Sequence, residues 1–354
     1  MVKKKGNSIT MRDIAQAANV SVMTVSQTLN PRKSPVRVSS ATQEKILRIV
    51  RELDYQPNLA AKVLAGESSH MIGILIDSLA PAVTFRILSH IEREAAKFGY
   101  GLMTAEAHDN VSRLCDSYHR LRRHGVDGII SLAHDYPGKE EELQQCFANA
   151  VKTVFIDKPC FQSSSYIELD WSSGIIAAVN HLTEQHCQRI GVIRSYGDWR
   201  SLQGRLDGYK QAMQKQLAQQ FILQQSRTRE KSGMLKQAAE SVDFIVENHL
   251  DAILAQDDFY AAAIINELQR RHIDVPGKVA VVGYDNEFFT DFFNPGISSI
   301  DWGIAAQAAA AVELLLQTIN GSASCFNPIT VKTRLIIRGS TQKNSDLTNS
   351  LNNP

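Results

Sequence analysis

The chain has 354 residues, 44% of them hydrophobic, and its 38 lysines and arginines nearly balance its 37 aspartates and glutamates. This length and apolar content suffice for two or three buried cores. No apolar run reaches the ~18 residues of a membrane span, and no apolar stretch follows the basic start, so we expect neither a transmembrane helix nor a signal peptide. The five cysteines are scattered and never spaced as CxxC. This usage predicts a reducing, cytoplasmic setting without structural zinc or a disulfide framework.

The net charge of +1 conceals a division along the chain. Residues 1–66 hold eleven basic and four acidic side chains, a balance of +7, whereas the remainder holds 27 basic and 33 acidic ones, a balance of −6. A basic head on an acidic body is typical of a head that meets a polyanion and a body that does not.

The stretch TMRDIAQAANVSVMTVSQTLN predicts a helix-turn-helix. Ile14 and Ala18 lie at helical spacing on a first helix, Ser21 can cap a second helix, and Val25 and Leu29 give that helix a buried stripe. The second helix keeps polar side chains on its open face, as contact with phosphates and base edges requires. A small helical hairpin inside a core is the alternative. The candidate DNA-binding residues of this head are Thr10, Arg12, Ser21, Val22, Met23, Thr24, Ser26, Gln27, Asn30 and Arg37.

Two further helices are predicted before residue 67. Ile46, Ile49, Val50 and Leu53 mark an amphipathic third helix that would close a small core. A short helix then follows in LAAKVLAG, capped by Asn58 and ended by glycine. This last segment is apolar where a linker would normally be polar, which makes sense if it becomes helical only when it pairs with a second copy on DNA.

The body alternates buried strands with amphipathic helices. One series begins at MIGILIDSL and a second begins near Asp170, which predicts two parallel sheets with helices on both faces. Ligands of such sheets bind outside the carboxyl ends of the strands, so two of them facing each other would form a cleft.

No catalytic or cofactor motif accompanies these strands. The chain has no GxGxxG after a strand, no GxxxxGK[ST], no HExxH and no GxSxG, so we expect no enzyme activity, no cofactor and no metal. Asp257 and Asp258, adjacent at a strand end, are more typical of a helix cap plus a ligand contact than of a metal site. A sugar-processing enzyme on the same body is the alternative from another class, but such an enzyme would not need the basic head.

The helix-turn-helix, the stretch YQPNLAAKVLAG and the body up to LIIRGST together resemble the LacI/GalR (lac-repressor) family of bacterial transcription regulators. The resemblance covers about residues 8–341. It implies a homodimer that binds a pseudo-palindromic double-stranded operator, with two hinge helices in the minor groove. Leu64 matches the leucine that wedges between base steps, and Asn58 and Ala61 lie beside it.

The same resemblance implies a domain plan with a body similar to periplasmic binding proteins and three crossings between its subdomains, near residues 169, 301 and 330. The expected boundaries are 1–57 for the DNA-binding domain, 58–66 for the hinge helix, 67–341 for the ligand-binding and dimerisation domain (N-subdomain 70–169 and 302–329, C-subdomain 170–300 and 331–341), and 342–354 for a tail. The tail lacks apolar heptads, which argues against a tetramerisation helix.

The cleft departs from the family pattern at three places. Pro81–Thr84 replaces Asn-Pro-Phe-Phe, Gln256-Asp257 replaces Asn-Asp, and Asp170-Trp171 replaces Asp-Asn. All three tryptophans map to cleft positions of the family, and indole faces stack on sugars and on heterocycles alike. By resemblance, Arg205 and Asp285 supply the polar ends of the site, although either residue can instead close a salt bridge. The expected ligand-binding residues are Asp77, Trp171, Trp199, Arg205, Gln256, Asp285 and Trp302.

These observations predict a cytoplasmic transcription regulator that binds specific DNA sequences and is controlled by a small molecule. We expect a repressor that responds to a sugar or sugar derivative. The alternative is a corepressed regulator that senses a nucleobase or nucleoside, because aromatic stacking fits either class. A ligand of either kind changes operator affinity only through its differential affinity for two conformations of the body.

Overall fold

The computed structural model divides the chain into two compact units, Met1–Ser69 and His70–Pro354. The residues that the structure describes are 9–29, 38–55, 67–77, 82–150, 152–161, 165–216, 218–226, 228, 230–321 and 329–343.

The first unit contains three helices, α1 (Met11–Ala18), α2 (Val22–Leu29) and α3 (Ser40–Glu52). A capping box starts α1, in which the Asp13 carboxylate accepts from the Thr10 amide at 2.8 Å. Asn19 ends that helix in the left-handed conformation, with φ 55°, which reverses the chain at a residue type that tolerates this region. The predicted helix-turn-helix is therefore present between residues 10 and 29.

The three helices of this unit enclose a small apolar core. Leu53, expected on the inner face of α3, is 36% exposed, because the helix ends at Glu52 and Tyr55 is buried in its place. The buried side chains of the core are Ile14, Ala15, Ala18, Val25, Ile46, Ile49 and Tyr55.

The second unit is built of two six-stranded sheets. The strands are β1 (Met71–Ile76), β2 (Gly101–Glu106), β3 (Gly128–Ser131), β4 (Thr153–Ile156), β5 (Tyr166–Asp170), β6 (Ile190–Ser195), β7 (Phe221–Gln225), β8 (Ala252–Leu254), β9 (Ala280–Tyr284), β10 (Ser298–Asp301), β11 (Ile329–Lys332) and β12 (Arg334–Ile336). The helices are α4 (Ala82–Ala96), α5 (Val111–Arg123), α6 (Glu140–Cys146), α7 (Trp171–Glu184), α8 (Arg200–Lys215), α9 (Lys231–Glu247), α10 (Asp258–Arg270) and α11 (Ile304–Ile319).

Both sheets have the doubly wound order that the sequence predicts. The first runs β11-β5-β4-β3-β1-β2 and is parallel throughout, and the second runs β12-β10-β9-β8-β6-β7 with only β12 antiparallel. Successive residues of β1 face opposite layers, since Ile74 packs with α4 and α11 whereas Leu75 packs with α5 and α6. Helices therefore cover both faces of the first sheet.

The chain passes between the subdomains at three points. It leaves the first sheet after β5, at Asp170, and returns after β10, at Asp301, to form α11 against β3, β4 and β5. It then crosses again at Thr333, between β11 and β12. These crossings bring the carboxyl ends of the two sheets' strands to one cleft.

The sequence pattern did not reveal several elements, among them β5, β7 and α9. The middle of β7 is partly exposed, and two of its five residues are glutamines, so its apolar run is too short to stand out. None of the helices in the described part of the chain is long and apolar enough to span a membrane.

Candidate functional site

The second helix of the head presents its apolar residues outward at its start. Val22 is 43% exposed and Met23 is 71% exposed, whereas Val25, one turn further, is fully buried. Thr24, Ser26 and Gln27 are partly exposed on the same helix. Exposed apolar side chains at a helix start are costly in water, but they are suited to contact with thymine methyl groups.

Several hydroxyls of the head serve its own helix starts. The Ser21 hydroxyl accepts from the Thr24 amide at 3.0 Å, so the predicted cap of α2 is confirmed. The Thr10 hydroxyl donates to Asp13 at 2.7 Å, and this bond lowers the pKa of the Asp13 carboxyl. Arg12 is exposed between these two residues. The expected contacts at Asn30, Arg37, Asn58, Ala61 and Leu64 lie outside the described residues.

In the body, an arginine lies among three aromatic rings at the centre of the cleft. The Arg205 guanidinium carbon is 3.5 Å from the centroid of the Tyr284 ring, 5.5 Å from Trp302 and 5.7 Å from Trp171. Its Nη1 donates to the carbonyl of Gln256 at 3.0 Å. A cation over aromatic faces in a desolvated position contributes about 2 kcal/mol.

The tryptophan faces are therefore covered, contrary to the expectation that they lie open for stacking. Trp171 and Trp302 meet edge to face at 4.6 Å and are 7% and 8% exposed. Trp171 also donates from Nε1 to the Asp157 carboxylate at 2.7 Å, across the two subdomains. Trp199 is 40% exposed at the start of α8, where its ring lies against Gly197.

Two buried nitrogens of this cluster have no hydrogen-bond partner among the described residues. They are Nε1 of Trp302 and Nε of Arg205. Beside Arg205 is a cavity of about 30 Å³, lined in part by Ser195, Gln256 and Tyr284. Because buried donors are nearly always paired in native proteins, these atoms are available to donate to a water molecule or to a polar ligand group.

A second arginine bridges the cleft from the other side. Arg86, on α4, donates from Nη1 to the backbone carbonyl of Asp285 at 2.8 Å and lies 3.5 Å from the Glu287 carboxylate. The amide of Arg200, at the start of α8, donates to Asp135 at 2.9 Å. Both contacts join the first subdomain to the second, so this conformation of the body is closed.

A buried carboxyl holds Glu287 in position for this bridge. Asp258 accepts from the Glu287 amide and from the Ser299 hydroxyl, each at 2.6 Å. Burial raises the pKa of Asp258 to about 7. Asp257 caps α10 by accepting from the Tyr260 amide at 3.0 Å. The pair is thus a helix cap and a backbone anchor, and no cluster of three metal-ligating side chains occurs within the described ranges.

The remaining expected ligand residues differ in how far they are already engaged. Asp285 is buried and has φ 103°, a backbone region that side chains rarely adopt and that is often found at functional sites. Gln256 accepts from the Ser195 hydroxyl at 2.5 Å. Asp77 accepts from the Tyr136 hydroxyl and from the Asp109 amide, both at 2.8 Å, and so braces loops at the end of β1.

Sequence reasoning missed three residues that shape the cleft. Arg86 donates to the carbonyl of Asp285, Asp157 accepts from Trp171, and the Tyr284 ring lies against the Arg205 guanidinium. Asp157 and Tyr284 follow or end a buried strand, which is the signal that could have identified them, since ligands of such sheets bind at the carboxyl ends of strands. Arg86 carries no such signal because it lies inside a helix.

Known families match both units. The model described as "Bacterial regulatory proteins, lacI family" matches residues 10–58, and the periplasmic binding protein-like domain matches residues 179–341. The resemblance to the LacI family of bacterial regulatory proteins that the sequence indicated is thereby confirmed, and the chain is a DNA-binding transcriptional regulator.

Relatives and solved structures extend the match over nearly the whole chain. The ribose operon repressor of Halalkalibacterium halodurans is 25% identical over 94% of this chain and 97% of its own length. The transcriptional repressor PurR of Vibrio vulnificus is 24% identical over 94% of this chain and 99% of its own. A lac repressor dimer bound to operator and the anti-inducer ONPF superimposes with a TM-score of 0.82 and 24% identity, covering 95% of this chain and 99% of that one.

Proposed function

We propose that this regulator is a homodimeric repressor whose affinity for a pseudo-palindromic operator is set by a sugar or sugar derivative bound in the cleft of the body. One observation carries the proposal. The Arg205 guanidinium lies among three aromatic rings at the meeting point of the two subdomains, and neither its Nε nor Nε1 of the neighbouring Trp302 has a hydrogen-bond partner among the described residues.

The chemistry of this cluster suits a hydroxylated ring. A guanidinium offers donors in a fixed fork, and the Asp285 carboxylate can accept from hydroxyl groups. The faces of Trp171 and Trp302 suit the C–H surface of a sugar once Arg205 moves away from them. A ligand can therefore bind beside Arg205 or displace it from the aromatic rings.

The mechanism follows from contacts that join the subdomains. Arg86 with Glu287, and Arg200 with Asp135, hold the closed conformation. A ligand that binds the closed form better than an open one stabilises it by the difference between the two affinities and by no more. Through the dimer, this angle between the subdomains would set the spacing of the two hinge segments and so the operator affinity.

The names of several relatives support a sugar as the effector. One similar regulator is named a ribose operon repressor, and other structures of the fold are complexes with D-xylulofuranose and with cellobiose. A corepressed regulator that senses a nucleobase or nucleoside is the alternative outcome of the test below. A regulator of this kind acts in the cytoplasm, where its operator lies, and carries out no chemical reaction on its ligand.

The test is a ligand screen with a functional readout. Purified protein is screened against sugars and nucleosides by thermal shift, and each hit is titrated while indole emission and operator affinity are measured. A sugar that raises the melting temperature, changes indole emission and releases the operator supports the proposal. A nucleoside that strengthens operator binding supports the alternative instead. Hits that bind without changing either operator affinity or indole emission would place the effector site elsewhere.

A further inference from the structure

A cluster of arginines ends helix α5. It lies near the amino ends of the first sheet's strands, whereas the cleft lies at their carboxyl ends. Arg120, Arg122 and Arg123, here called the Arg120 cluster, all lie in the last turn of that helix and are exposed. The last turns of the other described helices hold at most one basic residue each. The cluster therefore exceeds what stabilisation of a helix C-terminus requires.

The charge of the cluster is not neutralised within the described part of the body. None of its three guanidinium groups lies within 4.0 Å of a described carboxylate. Other basic side chains of the body do form ion pairs, such as Lys97 with Glu94 at 2.6 Å. The Arg122 guanidinium also lies over the Tyr118 ring, 5.7 Å from its centroid. The cluster stands out because the chain after residue 66 has a balance of −6.

The cluster lies beside the point at which the chain enters the body from the DNA-binding unit. The loop that follows α5 is bonded to this point, since the amide of His70 donates to the Asp127 carboxylate at 3.0 Å and the amide of Asp127 donates to the carbonyl of Met71 at 2.9 Å. Tyr55, the last described residue before the gap at residues 56–66, precedes His70 by fifteen positions. That length limits the chain between them to roughly 50 Å even when fully extended.

We propose that the Arg120 cluster binds the phosphate backbone of the DNA that the head reads. It would add a contact from the body that carries no sequence information but increases affinity and its salt dependence. Three exposed, unneutralised guanidinium groups suit phosphate oxygens, and the basic head of the same chain marks DNA as the polyanion that this protein binds. The inference does not depend on the effector proposed for the cleft.

The experiment compares two charge-removal variants of the full chain. Arg120→Gln/Arg122→Gln/Arg123→Gln removes the cluster, and Lys210→Gln/Lys215→Gln removes exposed cations from α8 in the other subdomain, one of them also in a last turn. Affinity for an operator duplex of about 40 base pairs and for a scrambled duplex of the same length is measured at several salt concentrations. Melting temperatures and indole emission check that both variants are folded.

We expect the triple variant to bind both duplexes at least tenfold more weakly at low salt, with the ratio between operator and scrambled DNA unchanged. The slope of log affinity against log salt should become shallower by about two to three, since each phosphate contact contributes about 0.9. The lysine variant should match the wild type in both respects. A folded triple variant whose slope equals that of the lysine variant overturns the proposal, whether or not the cluster then proves to bind an acidic protein.

Discussion

Met23 on the second helix of the head is 71% exposed, whereas Trp302 in the cleft of the body is 8% exposed. The same contrast extends to the polar groups of the two regions. The second helix of the head keeps its candidate contacts at or near the surface, while most candidate ligand contacts of the body are buried and already engaged by neighbouring groups. Arg205 lies over Tyr284, and Arg86 reaches across to the carbonyl of Asp285.

The difference shows what each region needs in order to bind. A helix that presents its side chains outward can dock on a groove without rearranging. A closed cleft filled by its own arginine must first break contacts that stabilise it. The net binding free energy of a ligand is then the energy of its own contacts minus that of the contacts it replaces. That exchange couples ligand binding to the conformation of the body, whereas a permanently open site would fill without changing it.

The largest effect that tests this contrast is expected at the two polar ends of the cleft. Arg205→Ala and Asp285→Asn should each weaken binding of an effector found by screening by roughly a hundredfold, because a hydrogen bond to a charged group is worth about 1.5–3 kcal/mol. The change in indole emission should be lost with it. Titration by calorimetry and by fluorescence measures both effects.

The same variants distinguish the two modes of regulation. With an inducer, Asp285→Asn should still bind the operator but no longer release it. With a corepressor, the variant should fail to bind the operator. Lys215→Gln, an exposed change on the helix that carries Arg205, serves as the control. Normal effector binding by both cleft variants would show that the site lies elsewhere.

Low pH should change the stability of the head and of the body to different extents. Burial lowers the pKa of His134, at the end of β3, to about 4, whereas residues 1–69 contain no histidine. A histidine with a lowered pKa in the folded state stabilises the fold fully only above its unfolded pKa near 6.5, and this stability is lost as the pH falls toward 4. At pH 5 the loss is roughly 2 kcal/mol.

His134→Gln should therefore lose less thermal stability than the wild type between pH 7.5 and pH 5.0. The comparison with the wild type is needed because Asp258, whose pKa is raised to about 7, has the opposite effect over this range. Melting followed by circular dichroism at both pH values gives the difference. Equal losses in the two proteins would mean that His134 takes up a proton in the folded state.

How much of each region could be predicted from the sequence follows from the range of its contacts. In the head, Thr10 caps with Asp13, Ser21 caps with Thr24, and the core residues lie three and four positions apart. Contacts between residues three or four positions apart follow from the local sequence pattern, so the helices and their starts were predictable. Leu53 was misplaced because burial of Tyr55 depends on packing rather than on helical spacing.

In the cleft, the decisive contacts join residues far apart in the chain. Arg86 and Asp285 are 199 positions apart, and Arg205 and Gln256 are 51 apart. The resemblance to the family indicated that Arg205 and Asp285 lie at the cleft. It did not indicate that Arg205 covers the tryptophans, since that depends on how three strand ends and a helix meet in the closed body.

The closed conformation itself can be weakened at one bridge. Arg86→Ala removes the bond to the Asp285 carbonyl and the ion pair with Glu287, so the open form should become more populated. We expect about tenfold weaker binding of an effector that selects the closed form, which lies within the usual 1–3 kcal/mol of allosteric coupling. Arg93→Ala, an exposed arginine on the same helix, is the control. Tighter effector binding by Arg86→Ala would mean that the effector selects the open form.

The smallest effect concerns sequence preference at the head. Gln27 is partly exposed on α2, and a glutamine can pair with adenine through two hydrogen bonds, while the exposed Val22 and Met23 can contact thymine methyl groups. We therefore expect half-sites that are rich in A·T where this helix contacts the major groove. Gln27→Ala should relax the preference at one position by about 1 kcal/mol, the lower end of the range for a bidentate contact. Selection of binding sites from a random pool, with wild type and variant in parallel, measures this change. Guanine selected opposite Gln27 by the wild type, or an identical preference in both proteins, would show that Gln27 does not read a base.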